Sequence, residues 1–428
     1  MKMKRHRFYA CLLTVMTLAG FTACSSTDND GVTDSQTVNG KSQLTLTINT
    51  MGTRAGFTAD PADASNNPEK TINRVTVGIF DSINNVRTIK EFTKGIGETA
   101  GTVGTNTFKT TNDSTVMNIV TNKLTDKDKV LVAVNAPSGL FQGVQKVSDF
   151  QSKSVDADRA LATASDEKTV QKDQVADNAP MFGEAVLKAP EKDQTAYTAN
   201  VSVSHLTAKI SLTDIEVAFD PKGSYQNATF SPTEIYVEHV VDGLNFNPTA
   251  GSWFDPSTTS LLTGATGVED AKTYKTYLTT GTISGVKLFG AKGASTAKTD
   301  NKYYFYVTPS SNDTPSGKKA NAVRVWIKGD FDPDGSDKAV TTVFYPVLLN
   351  VKYNADGAAV PAEDKTEKYK VYPNKNYTCK IIIKTKGLPG GPDGKQPEPG
   401  DDELKPQQAT ITVSVENWTP VTQTTTFE

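Results

Sequence analysis

Few residues in this chain have the type and spacing that chemistry demands. Acid–base or nucleophilic catalysis needs a base beside a nucleophile, and metal chemistry needs clustered His, Cys or carboxylates. The histidines are His6, His205 and His239, and the last two stand in strand-like runs with no Cys or second His at ligand spacing. Both read as structural. The Gly-rich stretch Gly95–Gly104 lacks the Lys-Ser/Thr ending and the strand-loop-helix setting of a phosphate cradle. The expectation is therefore a protein without catalytic residues, cofactor or enzyme activity.

Two other stretches carry chemistry of a milder kind. Asp330, Asp332 and Asp334 stand at i, i+2 and i+4 with Gly335 next, like the first half of a calcium loop. The second half is missing, because Thr341 occupies the place of the bidentate Glu. The stretch reads first as an acidic hairpin turn between strands at Val323–Lys328 and Thr342–Val351, with calcium as the weaker reading. The other stretch is Met51-Gly52-Thr53-Arg54-Ala55-Gly56-Phe57, an arginine among small residues, where a trypsin-like protease would find an accessible bond. A solvated loop arginine has the same local sequence.

The N-terminus gives the address. Lys2, Lys4, Arg5 and Arg7 precede the apolar run Phe8–Phe21, and Thr22-Ala23-Cys24 follows, the layout of a secretory signal over residues 1–23. It resembles a bacterial lipoprotein signal in which Cys24 becomes the lipidated first residue, although Phe21 stands where such signals usually carry Leu. The remaining cysteines are Cys11, inside the leader, and Cys379. No disulfide framework is available to this exported chain, so packed sheets must hold it.

These residues need a scaffold. A chain of 428 residues has room for two ordinary domains, and its net charge of −3 offers no basic field for nucleic acid. Near the start, Leu44, Leu46 and Ile48 alternate with Thr and Asn; at the far end, Ile411, Val413 and Val415 alternate with Thr, Ser and Glu ahead of Trp418. Period two is the mark of a strand with one buried face. Either the two ends suit the same groove, or they are unrelated strands; the pattern describes both cases. The closing strand follows Gly387–Gln408, too rich in Pro, Gly and charge to pack. Ser25–Gly40 is similarly polar and reads as a tether.

Between the ends, strand signals dominate. Ile72–Phe80, Ser114–Val120 and the continuous run Lys129–Ala136 are followed by Val147–Lys172, the one region of helical character, with Ser148 as expected N-cap. Val201–Leu212 opens a second series of strands. The expected fold is mostly β: two β-sandwich domains, 55–200 and 201–386, with one or two short helices, a tether at 387–408 and a tethered strand at 409–428. Residues 24–54 lie ahead of the first domain and carry the leading strand, a lipidated propeptide if Cys24 is modified and the chain is cut after Arg54.

In this order the pieces resemble the type V fimbrillins of the Bacteroidales, with a likeness greater to the minor (short-fimbria) shaft subunit than to the major one. The blocks that carry it are Val130–Asn135, Val203–Leu212 and Tyr377–Glu428, with Arg54-Ala55 between the leading strand and the body. The resemblance implies transthyretin-like sandwiches and a fimbrium at the cell surface, with a role in adhesion and biofilm formation. It implies an outer-membrane lipoprotein precursor, cut after Arg54 by an Arg-specific protease. It further implies that the Leu44, Leu46 and Ile48 strand leaves a groove that another copy's C-terminal strand fills. Partners would be copies of itself and accessory fimbrial subunits. Alternatives are a tip or anchor subunit, or a surface glycan-binding lipoprotein using Trp253, Trp326 and Trp418, which the spacing does not group.

Overall fold

The computed structural model describes residues 42–50, 68–94, 107–110, 114–157, 178–192, 196–249, 253–254, 261–263, 274–276, 303–311, 322–349, 369–391, 397 and 409–417. Its first part contains β1 (Ser42–Thr50), β2 (Arg74–Phe80), β3 (Val86–Thr93), β4 (Thr107–Thr110), β5 (Ser114–Thr121), β6 (Lys129–Val134), the helix α1 (Val147–Gln151), β7 (Ser154–Val155), β8 (Met181–Val186) and β9 (Ala196–His205). The second part contains β10 (Ala208–Val217), β11 (Thr229–Val241), β12 (Leu244–Asn245), β13 (Leu261–Thr263), β14 (Tyr274–Thr276), β15 (Tyr303–Val307), β16 (Arg324–Asp332), β17 (Thr341–Leu348), β18 (Lys375–Ile383), β19 (Leu388–Pro389) and β20 (Ala409–Asn417). The mostly β expectation holds.

The first part is an eight-stranded sheet in the order β3-β2-β6-β8-β9-β1-β5-β4. It bends at β8 and β9, which pair only at Met181–His205 and Phe182–Ser204. Gly183 sits at this corner because a Cβ there would collide with the carbonyl oxygen of Ser202. The two leaves face each other across one core. Leu44, Leu46, Ile48, Met117, Ile119, Val201 and Val203 come from one leaf, and Val75, Val77, Ile79, Val130, Val132 and Val134 from the other.

The continuous apolar run of β6 has a direct cause. Its other face, Leu131 and Ala133, is covered by Phe80, Phe141, Phe150, Phe182 and Phe246. Phe150 comes from α1 and stacks on Phe141 at 4.1 Å. Ser148 does not cap that helix. The Asp149 carboxylate instead accepts the backbone N–H groups of Gln145 and Lys146, both at 3.0 Å, so an acidic residue inside the first turn does the capping.

The second part stacks a four-stranded sheet, β15-β10-β18-β20, against a six-stranded one, β14-β13-β11-β16-β17-β19. Ile210, Phe305, Val307, Tyr377, Cys379, Ile381 and Ile383 meet Phe230, Ile235, Val237, Val325, Ile327, Val343 and Val347 in its core. The chain passes between the two sheet systems at Leu206–Thr207, a few residues beyond the expected 200. Both systems follow one scheme. The first strand runs parallel to a late one, β1 with β9 and β10 with β18, and antiparallel to a middle strand, β5 or β15.

A buried polar cluster joins the two systems. Glu69, in a 3-10 turn at Pro68–Lys70, accepts hydrogen bonds from the Lys209 ammonium and from the Tyr306 hydroxyl, the latter at 2.6 Å. Its carbonyl oxygen lies 2.8 Å from His205 Nε2. A charge pair this deep is tolerable only because each member is hydrogen-bonded. The pairing of β7 with β12 makes a second bridge.

Both strand histidines are structural in geometry. Burial lowers the His205 pKa. His239 accepts from Arg324 Nη2 at 2.9 Å through Nδ1, and burial together with that guanidinium pushes its pKa down to about 4. The unfolded histidines titrate near 6.5, so acidification protonates the unfolded chain before the folded one. Stability is full above about pH 6.5 and falls as pH drops toward 4, by on the order of 2–3 kcal/mol for His239. Chemical denaturation at pH 7.5 and 4.5 measures this, and His239→Gln should shrink the difference.

Candidate functional site

β1 occupies the middle of its leaf. It pairs antiparallel with β5, placing Leu44, Leu46 and Ile48 opposite Ile119, Met117 and Thr115. It pairs parallel with β9, placing the same residues opposite Tyr197, Ala199 and Val201. All three side chains are 0% exposed. Ser42 accepts the Leu124 N–H at 3.2 Å through Oγ, and Thr45 Oγ1 donates to Asn118 Oδ1 at 3.1 Å. Full burial of three such residues is worth about 5–9 kcal/mol before ordering costs. The strand ends at Thr50, four residues before Arg54.

β20 sits differently. It pairs antiparallel with β18 alone, at the edge of the four-stranded sheet, with Ile411, Val413 and Val415 opposite Ile381, Cys379 and Tyr377. Those three β18 residues are themselves fully buried. The closing strand thus lies on its own chain here, with one ladder where β1 has two.

The two strands are nine residues each and match position for position. SQLTLTINT aligned with ATITVSVEN puts Leu44 on Ile411, Leu46 on Val413 and Ile48 on Val415, with a polar residue at every position between. A strand of this length and phase can replace the other without a register change, which matters because a one-residue slip inverts the buried face.

Part of the expected tether is not free. Leu388–Pro389 pairs with β17, and Leu388 is buried with Tyr236, Trp326 and Phe344. The Gly390 N–H donates to the Thr342 carbonyl at 3.3 Å. Between the end of that segment at residue 391 and β20 lie the 17 residues 392–408 rather than the whole of Gly387–Gln408, a length of chain that spans at most about 53–56 Å at roughly 3.1–3.3 Å per residue.

The acidic loop joins β16 to β17 as a hairpin. Asp332 spends both oxygens on its own turn, accepting the N–H of Asp334 at 3.2 Å and of Asp337 at 2.8 Å. Asp334 accepts the Ser336 N–H at 3.0 Å, and hydrogen bonds from Ser336 hold its carboxyl below the usual value. Asp330 lies 3.5 Å from the Thr342 hydroxyl. The carboxylates fold the backbone rather than converge, and among the described residues no group of three or more His, Cys, Asp or Glu could hold a metal ion. Trp326 is fully buried, with its indole N–H on Glu238 at 2.7 Å, and Trp253 packs edge-on against Tyr372 at 5.4 Å. Cys24, Arg54, Ala55 and Trp418 lie outside the described residues.

No protein-family model and no curated protein sequence matches this chain. Solved structures do. A candidate cell adhesion protein from Parabacteroides distasonis superposes with a TM-score of 0.56 at 14% identity, over 88% of this chain and 99% of that one. A candidate cell adhesion protein from Bacteroides eggerthii gives 0.54 at 19% identity, over 90% and 97%. A fimbrilin from Porphyromonas gingivalis gives 0.50 at 15% identity, over 90% and 99%. The chain has the fold of these proteins along nearly its whole length.

Proposed function

We propose that this chain is a structural subunit of a cell-surface fimbria, in the shaft rather than at the tip or base. It is made as a lipoprotein precursor anchored through Cys24, cut between Arg54 and Ala55, and polymerised when β20 of one subunit enters the β1 groove of the next. The observation that carries this reading is the interchangeability of β1 and β20. The two strands have the same length and the same phase, yet one is held by two neighbours and the other by one. The fold shared with a fimbrilin and with candidate adhesion proteins supports the fimbrial class.

The thermodynamics follow from the two seats. Before cutting, β1 is covalently local and outcompetes any incoming strand. After cutting, it can leave, and an incoming β20 exchanges a single ladder on β18 for a double one between β5 and β9. Passing a strand head to tail does not close on itself, so it propagates a filament. Arg54→Ala should leave an uncut, membrane-held precursor and no filaments. Electron microscopy of protease-treated wild type and variant tests the reading, and wild-type filament yield from the variant would refute it.

Side-chain volume acts against the exchange. Val413 and Val415 each carry one methylene less than Leu46 and Ile48, a deficit of about 0.5–1.5 kcal/mol per site. The doubly substituted Val413→Leu, Val415→Ile chain should therefore form filaments that resist denaturant better than wild type. Midpoints for filament dissociation in guanidinium measure it, and an unchanged midpoint would mean that β20 does not lie among those core residues.

A further inference from the structure

The exchange just proposed leaves two orphans. The departing β20 strips β18 of its outer neighbour, and the departing β1 carries Leu44, Leu46 and Ile48 into water. We propose that they pair: the edge of β18, once vacated, is the docking site for the released leading strand, Ser42–Thr50. The inference rests on the assembly reading above and adds a second strand transfer to it.

The seat fits the strand. Placed where β20 lay, with Ser42 at the position of Ala409, β1 sets Leu44, Leu46 and Ile48 opposite Ile381, Cys379 and Tyr377. Those three residues form one wall of the second core and are fully buried while the edge is covered. Polar residues of β1 fall at every intervening position, so the strand needs no shift in phase. Its direction is also familiar, since β1 already runs antiparallel against β5. An uncovered β18 edge beside a bare amphipathic strand is the pairing that sheet edges invite. The result is a reciprocal swap, in which each strand takes a seat the other has left.

Cross-linking tests it on the full precursor. Under this register Thr47 comes opposite Thr378, whereas in the uncut chain the two belong to different sheets. The Thr47→Cys, Thr378→Cys variant is cut, allowed to assemble and oxidised. In the uncut chain the native Cys379 thiol is fully buried and its pKa is pushed up to about 12, and a Cys379→Ala background removes it as a competitor once β20 has left. The expected result is filaments whose subunits carry the propeptide through a disulfide, with no such link before cutting. Filaments without the adduct overturn the swap and leave the assembly reading standing. Absence of filaments overturns both. Wild-type filaments, washed and analysed by mass spectrometry, give a second readout: the 24–54 peptide should remain bound, and its loss on washing counts against the swap.

Discussion

Deletion of Ala409–Glu428 should yield a precursor that folds, is exported and is cut, yet forms no filaments. The deleted strand lies on the outer edge of a four-stranded sheet. Removing an edge strand leaves β18 held by β10 along eight register partners and leaves the six-stranded sheet untouched. The second core keeps its walls, so the cost falls on stability rather than on folding. Assembly, in the reading proposed above, loses its donor strand. Val413→Asp makes the same point without truncation, because a carboxylate brought into the β5–β9 groove would be buried without a partner, which costs several kcal/mol. Size-exclusion chromatography should show monomers for both variants, and filaments from either would sink the mechanism.

Leu46→Ala should separate the precursor from the polymer. Leu46 is fully buried between Met117 and Ala199, so its truncation destabilises the precursor by about 2–5 kcal/mol. At about 2–4 °C per kcal/mol, the Tm falls by roughly 4–20 °C. In the assembly proposed, β20 rather than β1 fills that groove, so subunits of the variant should separate from one another at wild-type denaturant concentrations, even though Leu46→Ala also weakens the seat of β1 on β18. Calorimetry of the uncut precursor beside guanidinium titration of washed filaments measures both. Equal destabilisation of both forms would mean that β1 stays in its groove after assembly.

Much of the scaffold could be read from the sequence because it depends on short-range alternation. The period of two at Leu44–Ile48 and Ile411–Val415 marked both end strands, and the unbroken run of β6 announced a strand covered on both faces. Alternation says which side of a strand is buried but not against which sheet. The seat of β20 on β18 was therefore out of reach. Leu388–Pro389 was missed because two paired residues leave no period, and because the surrounding composition argues for a tether. Asp332 looked like a ligand when counted by spacing, yet its oxygens accept N–H groups only a few residues away, a use that spacing cannot distinguish from metal binding. The Glu69, Lys209 and Tyr306 cluster unites residues far apart in the chain, and no local pattern encodes such a meeting.

The groove around β1 also determines how a fimbria built this way would respond to pulling. A pull along the donor strand would load both flanking ladders together rather than peel them one bond at a time. The strand cannot yield in small steps. A slip of one residue turns every branched side chain outward, and a slip of two residues leaves one of the three apolar niches empty. Such a joint has no gradual creep: each link either holds its length or lets go.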